Sequence, residues 1–297
     1  MVYPYVIFNK QTLMYTNMRD NIPSFIIVGS MKSGSTSLMY HLRNHKNIHT
    51  PPKEVHFFNR DENFNKGVEW YKNILTNGLN DNTKVVGEKT PTYSYQSNVP
   101  RRIFESFPDT KIIWIFRNPV DRTYSNYLHS LTRGNENLSF EKAIEKEGTR
   151  IKKNIFKGYR IRSIYHKQVS SYLKFFPKEN MFFMLLEDLI QPYDEDHILN
   201  DLFEFLDVTK ENFDFNSKPK NVTVIPKYPI VLYYGTKSIF YKFSLFRKFV
   251  RKISFYGSKP GYTPMDSQIR TELVDYFKKH NEKLSKLIDK DLTIWDK

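Results

Sequence analysis

The sequence contains no cysteine, so disulfide bonds and thiolate metal sites are both excluded. This absence suits a reducing compartment. No apolar run approaches the roughly 20 residues that a membrane-spanning helix needs, and the N-terminal stretch MVYPYVIFNK lacks the apolar core of a secretory signal peptide. Internal repeats and low-complexity tracts are also absent. Together these absences predict a globular, cytoplasmic protein.

Basic residues outnumber acidic ones: 46 Lys and Arg against 32 Asp and Glu give a formal net charge of +14. An acidic partner is therefore expected, and nucleic acid, an anionic membrane, a nucleotide or an anionic polysaccharide all fit this charge. A lysine-rich solvated surface without such a partner explains the excess equally well. With 297 residues, of which 39 % are hydrophobic, the chain can bury a substantial core.

The candidate chemistry is organised around the stretch FIIVGSMKSGSTSL, residues 25–38. Four apolar residues lead into a loop with two glycines, and a helical pattern follows. Such a turn directs backbone N–H groups and a helix N-terminus at one point, which favours an anion, and Lys32 adds a positive charge. The usual nucleotide-triphosphate loop reads GxxxxGK[ST], with its lysine just before the hydroxyl residue. Here Lys32 precedes the second glycine, Gly34, which disfavours a kinase or NTPase; that class remains the enzymatic alternative.

Two later strands end in basic residues. A short apolar strand ends before Lys89, and the continuous apolar run KIIWIF (residues 111–116) stops at Arg117 rather than at the magnesium-binding aspartate of NTPases. Ligands of alternating α/β folds bind at the carboxyl ends of the strands. Arg117 can bind phosphate oxygens bidentately, and Ser125 on the next helix is a second candidate phosphate ligand. Lys89 by itself also fits an ordinary surface lysine.

The stretch KEVHFF, residues 53–58, alternates polar and apolar side chains. An extended backbone would place Glu54 and His56 on one side. A carboxylate beside an imidazole can share a proton-transfer task. A half-buried strand with two ordinary polar residues explains the same pattern.

The order of the elements predicts an α/β fold, with a P-loop-like central parallel β-sheet flanked by helices on both faces. A single domain over residues 1–297 is expected, in which residues 1–22 form an N-terminal arm and residues 133–157 and 213–262 form loops that cover the substrate or cofactor. Strands are predicted over residues 25–28, 85–86, 111–116 and 181–189. Helices are predicted over residues 36–45, 64–75, 99–107, 141–147, 158–176, 198–206 and 268–288.

Residues 237–252, KSIFYKFSLFRKFVRK, alternate aromatic and basic side chains at roughly helical spacing. This pattern fits a helix on a membrane surface or against a polyanion. It also fits a peripheral helix whose aromatic face packs on the core.

Several ordered motifs resemble the sulfotransferases that use 3′-phosphoadenosine 5′-phosphosulfate (PAPS). GSMKSGSTSL resembles their 5′-phosphosulfate loop, and IFRNPVDRTYSNYLH resembles their 3′-phosphate motif. The resemblance spans about residues 24–297. Within the family, the sequence is most similar to the heparan sulfate N- and 3-O-sulfotransferase branch. The motifs of that branch are KEVHFFN, NKGVEWY, and GEKTPTY followed by VPRRI, and the ending KLIDKDLTIW is similar to that of many members.

The resemblance implies a set of ligands for PAPS. Lys32 would contact the sulfuryl group and the bridging oxygen, and Arg117 and Ser125 would bind the 3′-phosphate. Lys227 would belong to a basic loop that covers the nucleotide. The 5′-phosphate would be bound by Gly34, Ser35, Thr36 and Ser37, with Ser33 among the cofactor-binding residues.

The resemblance also implies catalytic roles. Glu54 matches the proposed base, and Lys89 matches a lysine close to the transferring group. His129 matches a histidine considered as an additional acid or base, and His56 lies beside the site by motif. Which of Glu54, His56 and His129 is the base stays open.

The expected reaction is in-line transfer of a sulfuryl group from PAPS to a hydroxyl or amine, with 3′-phosphoadenosine 5′-phosphate (PAP) as product. A carbohydrate or glycoconjugate is the expected acceptor, and neither a metal nor nucleic acid is expected as a partner. Animal Golgi members have a membrane anchor and a cysteine-bridged loop; the sequence shows neither, which suggests a soluble microbial- or viral-type enzyme. The non-enzymatic alternative is a module that binds polyanions or membranes through residues 237–252.

Overall fold

The computed structural model describes residues 22–192, 194, 197–210, 224–259, 261 and 264–296. The predicted N-terminal arm lies almost entirely outside the described residues, and so does the part of the predicted covering loop at 213–223. The chain divides into two compact units: unit 1 comprises Met1–Arg117 and Gln168–Phe215, and unit 2 comprises Asn118–Lys167 and Asn216–Lys297. The single domain over residues 1–297 stays a prediction.

The strands and helices follow one another in an alternating order. The strands are β1 (Phe25–Gly29), β2 (Ile48–His49), β3 (Val85–Lys89), β4 (Lys111–Phe116) and β5 (Met181–Leu185). The helices are α1 (Ser35–Asn44), α2 (Asp61–Phe64), α3 (Val68–Thr76), α4 (Val99–Ser106), α5 (Pro119–Thr132), α6 (Phe140–Glu145), α7 (Glu147–Arg150), α8 (Tyr165–Tyr172), α9 (Leu186–Leu189), α10 (Ile198–Phe205), α11 (Pro229–Lys237), α12 (Ser244–Ser254) and α13 (Ser267–Ile288). Short 3₁₀ turns occupy Tyr93–Tyr95, Ile155–Lys157, Ile161–Ser163, Lys178–Asn180, Ile239–Lys242 and Thr293–Trp295.

The sheet of unit 1 is parallel, with the strand order β2-β3-β1-β4-β5. Strand β1 lies at the centre, where Ile27 is opposite Lys89 of β3 and Ile113 of β4. The carboxyl ends of these three strands therefore meet at one edge. The loop after β1, Lys89 and the residue after β4, Arg117, all lie at that edge, as the sequence predicted.

Alternate residues of the central strands pack on opposite faces of the sheet. Phe25, Ile27, Ile113 and Ile115 belong to an apolar cluster on one face. On the other face, the ring of Trp114 lies 5.0 Å from that of Tyr172 and 5.6 Å from that of Phe116. The first cluster is completed by residues of α1 and α10, namely Leu38, Met39, Leu42, Leu199, Leu202 and Phe203. Because each large buried side chain contributes roughly 1.5–3 kcal/mol, both faces stabilise the sheet. The predicted fold class is confirmed.

Several predicted elements differ from the observed ones. The predicted helix 64–75 is divided into α2 and α3 at Gly67, whose φ of 83° no helix accommodates. The predicted strand 181–189 ends at Leu185, because the carboxylate of Asp188 accepts the N–H of Leu185 at 3.1 Å and begins α9. The predicted helix 158–176 is a 3₁₀ turn followed by α8.

The first part of that last segment is held by side chains of α5. The guanidinium of Arg122 donates to the carbonyl of Tyr159 at 3.1 Å and to the hydroxyl of Ser163 at 3.1 Å. In a continuous helix the carbonyl of Tyr159 would accept a backbone N–H of the same helix, but here it accepts a hydrogen bond from Arg122. Arg122 is only 1 % exposed, so this contact lies inside unit 2.

Two buried carboxylates fix the segment that was predicted as a covering loop, residues 133–157. Glu136 accepts hydrogen bonds from the Tyr159 hydroxyl at 2.6 Å and from the N–H of Leu138 at 3.1 Å. Glu147 accepts the N–H groups of Arg160 at 2.6 Å and of Ile161 at 3.2 Å. The segment thus folds as α6, α7 and anchored turns, and its covering role stays a prediction.

The interpretation that residues 237–252 pack an aromatic face on the core is wrong. In α12 the buried side chains are Val250 and Ser254, while Phe240, Phe243 and Phe249 are exposed. None of the helices in the described part of the chain combines the length and the apolarity needed to cross a bilayer.

The packing of β1 against β3 generates a stability prediction. A Cβ atom at Gly87 would lie 2.5 Å from three ring carbons of Phe25, inside a buried layer. Gly87→Ala is expected to lower the free energy of unfolding by about 1–3 kcal/mol, because the ring must shift. Urea unfolding followed by circular dichroism measures this change.

Gly148→Ala in α7 is the matched control, since nothing lies within 4 Å of its added Cβ. That substitution should leave stability unchanged or raise it by up to about 1 kcal/mol. Equal effects of the two substitutions would contradict the packing described for β3.

Candidate functional site

The loop between β1 and α1 has a backbone that few residues tolerate. Gly34, which precedes α1, has a φ of 91°, and a Cβ added there would lie 2.6 Å from Leu186 Cδ1. Glycine is therefore required for both conformation and space. Lys32 has a φ of 72°, a region that residues with side chains seldom adopt and that is concentrated at functional sites.

The N-terminus of α1 forms an anion-binding arrangement. Its first turn reads Ser35-Thr36-Ser37 and contains no carboxylate. The first N–H groups of a helix have no partner inside it, and the helix dipole is positive at this end. The hydroxyls of Ser30 and Ser33 are buried and find no hydrogen-bond partner within the described part of the chain. Because an unpartnered buried hydroxyl costs free energy, this loop fits a polar, negatively charged ligand.

Beside this helix end, Lys89 joins two groups. Its Nζ lies 2.9 Å from Glu54 Oε1 and 3.4 Å from the hydroxyl oxygen of Thr36. The second carboxylate oxygen of Glu54, Oε2, lies 3.4 Å from His56 Nε2. The structure therefore brings together four predicted site residues, Lys89, Glu54, His56 and Thr36, in unit 1.

The imidazole of His56 is half-buried. Burial lowers its pKa, the positive charge of Arg60 lowers it further, and the carboxylate of Glu54 opposes the change. His56 is therefore neutral at neutral pH, when it can accept or donate a proton at Nε2.

The segment that carries Glu54 and His56 is irregular rather than a strand. It adopts turns over residues 57–59, and His56 has a φ of 55°. The predicted closeness of Glu54 and His56 is nevertheless present, so its cause lies in tertiary contacts rather than in an extended backbone.

Those contacts converge on Glu88, a carboxylate in β3 that is 0 % exposed. It accepts hydrogen bonds from the hydroxyls of Tyr71 at 2.9 Å, Tyr93 at 2.8 Å and Thr90 at 2.7 Å. The N–H of Val55 also donates to it. Burial raises the pKa of Glu88, and these four hydrogen bonds oppose the increase.

The partners of Glu88 hold the rest of the same segment. The N–H of His56 donates to the Thr90 hydroxyl at 3.4 Å, and the N–H of Phe58 donates to the Tyr93 hydroxyl at 3.3 Å. From the other side, the Asn63 amide donates to the carbonyls of Val55 and His56, both at 3.2 Å. Nearly every backbone group around His56 is thus fixed.

Glu88 was not among the site residues predicted from the sequence. The signal was present in GEKTPTY, where a carboxylate occupies an inward position of a short apolar strand. A buried carboxylate requires hydrogen-bond partners, and two tyrosines and a threonine were available nearby.

The remaining predicted residues belong to both units. Arg117 follows the end of β4 in unit 1. Ser125 and His129 lie four residues apart on α5 in unit 2, so they share one helix face, and Ser125 is 2 % exposed. Lys227 is exposed in unit 2, and its backbone N–H donates to the Ser258 hydroxyl at 3.1 Å. Their roles at a ligand stay predictions.

Solved structures and curated proteins similar to this chain agree with one another. A sulfotransferase from Alicyclobacillus acidocaldarius has 27 % sequence identity and a TM-score of 0.67, over 93 % of this chain and 99 % of that one. Heparan sulfate glucosamine 3-O-sulfotransferase 6 of Mus musculus is 31 % identical over 172 residues, which are 58 % of this chain and 49 % of the relative.

Two further relatives are similar over most of this chain. The membrane-associated sulfotransferase kil1 of Dictyostelium discoideum is 25 % identical over 91 % of this chain and 66 % of its own length. The human bifunctional heparan sulfate N-deacetylase/N-sulfotransferase 3 is 30 % identical over 91 % of this chain and 30 % of its own length. The chain thus spans from about a third to two thirds of the curated relatives named here.

The family comparison covers the loop, β3 with its buried carboxylate, and β4. The model of the sulfotransferase domain family matches residues 23–226, which is more than half of the chain. By this match, and by the fold and loop described above, the chain belongs to the sulfotransferase domain family.

Proposed function

We propose that this chain transfers the sulfuryl group of PAPS to a hydroxyl or amine of a carbohydrate or glycoconjugate. The observation that carries the proposal is the linked group of Glu54, Lys89 and Thr36, which joins a partly exposed carboxylate to the N-terminus of α1. A glycan acceptor is supported by the relatives, two of which are named for heparan sulfate.

PAPS, when bound, supplies an activated sulfuryl group on a good phosphate leaving group. The N–H groups of residues 33–37 at the start of α1, with the hydroxyls of the serines and the threonine among them, bind its 5′-phosphate in this proposal. The buried hydroxyl of Ser33 and the missing carboxylate in the first turn support that role. Lys32, held in the same loop, provides a cation where negative charge increases during transfer.

Glu54 acts as the general base in this proposal. Its side chain is 34 % exposed, so an acceptor hydroxyl or amine can approach it. The proton of the acceptor would pass to the carboxylate while the acceptor oxygen or nitrogen bonds to the sulfur of PAPS, and the bond from that sulfur to the 5′-phosphate oxygen breaks, so that PAP leaves. Lys89 holds one carboxylate oxygen, and the neutral His56 stands beside the other as an alternative base.

The remaining assignments follow from motif resemblance. Arg117 and Ser125 bind the 3′-phosphate, Lys227 covers the nucleotide, and His129 is an additional acid or base. No metal enters the proposal. Cation charge is supplied instead by Lys32 and Lys89.

Glu88 is a positioning residue in this proposal. It does not reach solvent, but it binds the N–H of Val55 directly and positions the hydroxyls of Thr90 and Tyr93. These groups fix the backbone on either side of His56 and just after Glu54. A general base needs placement within a fraction of an ångström, so the effect of Glu88 is expected in the rate.

Calorimetry with PAP tests the donor site. Saturable binding is expected for the full chain, and Lys32→Ala should weaken it about tenfold or more, because a hydrogen bond to a charged group is lost. Lys84→Ala, an exposed lysine at the opposite end of β3, is the matched control and should leave binding unchanged. No saturable binding of PAP, or preferential binding of ATP with Mg²⁺, would refute the proposal in favour of an NTPase.

Glu54→Gln tests the base. Transfer of sulfate from PAPS to a glycan acceptor should fall by roughly 10² or more, whereas the dissociation constant of PAP should change little. Glu62→Gln, an exposed carboxylate of α2, is the control for charge. Unchanged turnover in Glu54→Gln would reassign the base to His56 or His129, and His56→Asn and His129→Asn then separate these two.

Glu88→Gln tests the positioning role. An amide NH₂ replaces one acceptor oxygen, so at least one hydroxyl of the network loses its acceptor and the free energy of unfolding should fall by about 1–3 kcal/mol. At a temperature where the variant is fully folded, kcat should fall severalfold while PAP affinity stays unchanged. The control is Glu179→Gln, at an exposed position of unit 1. A loss of stability with normal kcat would leave Glu88 a purely structural residue.

A further inference from the structure

Unit 2 exposes a large amount of apolar surface in one short segment, residues 228–256. Eleven of the sixteen large apolar side chains that are exposed in the described part of the chain belong to this segment. We call their combined surface, with the cations among them, the basic apolar face. Its most exposed apolar members are Leu245 (82 %), Ile239 (76 %), Tyr256 (71 %), Tyr234 (64 %), Phe249 (59 %) and Ile230 (58 %).

The geometry of α12 shows that its apolar stripe faces outward. Val250 and Ser254 are buried, and Val250 packs so closely on Gly235 of α11 that a Cβ there would lie 2.4 Å from it. Leu245, Phe249 and Ile253 recur every four residues on a different side of the helix, and all three are exposed. The helix α12 therefore packs on α11 through a side that does not include Leu245, Phe249 and Ile253.

Neighbouring elements extend the stripe. The 3₁₀ turn Ile239–Lys242 precedes α12, and the ring of Phe240 lies 5.9 Å from that of Phe246. On α11, Ile230 and Tyr234 are one turn apart and both exposed. The basic apolar face thus includes three consecutive elements of one unit.

The charge of this segment has one sign. Residues 228–256 contain six Lys and Arg and no Asp or Glu, and the absence of acidic residues extends over residues 215–265. Lys248 and Lys252 are one turn apart and border the stripe of Leu245 and Phe249. Other cations lie over aromatic rings, at 5.2 Å for Lys242 and Phe243 and at 5.1 Å for Arg251 and Phe255.

We propose that the basic apolar face binds the surface of an anionic lipid bilayer. Apolar side chains enter the boundary between headgroups and acyl chains, and the flanking lysines and arginines contact lipid phosphates. The binding is peripheral, because the stripe lies along the surface of a folded unit. This inference is independent of the proposed sulfuryl transfer.

Two other occupants fit the observations less well. A polyanionic glycan matches the cations, but it offers no partner for aliphatic side chains as exposed as Leu245 and Ile239. A second copy of the chain would match the apolar stripe, but a symmetric contact would bring two acid-free basic segments together, and each copy carries a net charge of +14. An anionic bilayer offers both hydrocarbon and negative charge.

Vesicle sedimentation with the full chain tests the proposal. Binding is expected to vesicles of phosphatidylcholine and phosphatidylserine in equal amounts, to weaken as salt is raised, and to be much weaker with phosphatidylcholine alone. Lys248→Gln with Lys252→Gln should weaken binding roughly 30-fold, because each lysine near an anionic surface contributes a factor of about five. Lys278→Gln with Lys279→Gln, two exposed lysines of α13, make the same charge change and should have little effect.

The apolar contribution needs its own pair of variants. Leu245→Gln with Phe249→Gln should weaken vesicle binding about tenfold or more, since both side chains point away from the core. Ile190→Gln with Ile294→Gln, at exposed positions outside the face, should leave binding unchanged. Circular dichroism checks that all variants fold.

Four results would overturn the inference. The first is no binding to anionic vesicles, and the second is equal binding to both vesicle types. The third is weaker binding in the Lys248 and Lys252 variant but unchanged binding in the Leu245 and Phe249 variant. The fourth is self-association, measured by light scattering, that the substitutions at Leu245 and Phe249 abolish. The third result indicates a polyanion site, which heparin binding would then measure. Because PAP calorimetry does not involve vesicles, failure here leaves the proposed transfer untouched.

Discussion

The candidate site depends on one buried carboxylate. Glu88 lies inside the sheet of unit 1, where an ionised group is costly unless hydrogen bonds compensate it. Three hydroxyls and one backbone N–H supply that compensation, and they come from α3, the turn after β3 and the segment around Glu54. Satisfying this single group therefore joins β3 to three other parts of the chain. The position of Glu54 beside Lys89 follows from that requirement.

Positive charge at the candidate site of unit 1 comes from two kinds of group, the backbone at a helix end and lysine side chains. The loop before α1 offers backbone N–H groups and a helix dipole, which need no reorganisation when an anion binds. Lys32 and Lys89 contribute long side chains to the same edge of the sheet, and Lys89 is already paired with Glu54. A cation held between a carboxylate and an anion-binding turn can serve both groups, which suits a transfer from a phosphate to an acceptor beside a base.

In unit 2, two acidic side chains are buried and a cluster of basic side chains is exposed. Glu136 and Glu147 are buried and bind backbone N–H groups, so negative charge is taken inward to fix residues 133–162. The cations of residues 228–256 stay outside with exposed apolar side chains. Because residues 215–265 contain no Asp or Glu, the cations of this segment contribute to the net charge of +14 without an acidic residue beside them in sequence.

The sequence alone determined the α/β class, the central strands, the loop around Lys32 and the family, because each depends on local order: an apolar run, a glycine-rich turn or a motif of fixed spacing. It also indicated Lys89 and Glu54, since both lie in such motifs. Tertiary structure decided how these residues meet. Glu54 and His56 adjoin because Glu88 and Thr90 bind the backbone N–H groups of Val55 and His56, although the extended strand from which their closeness was predicted does not form. Tertiary structure also turned Phe249 outward, since periodicity marks an apolar stripe but not what covers it.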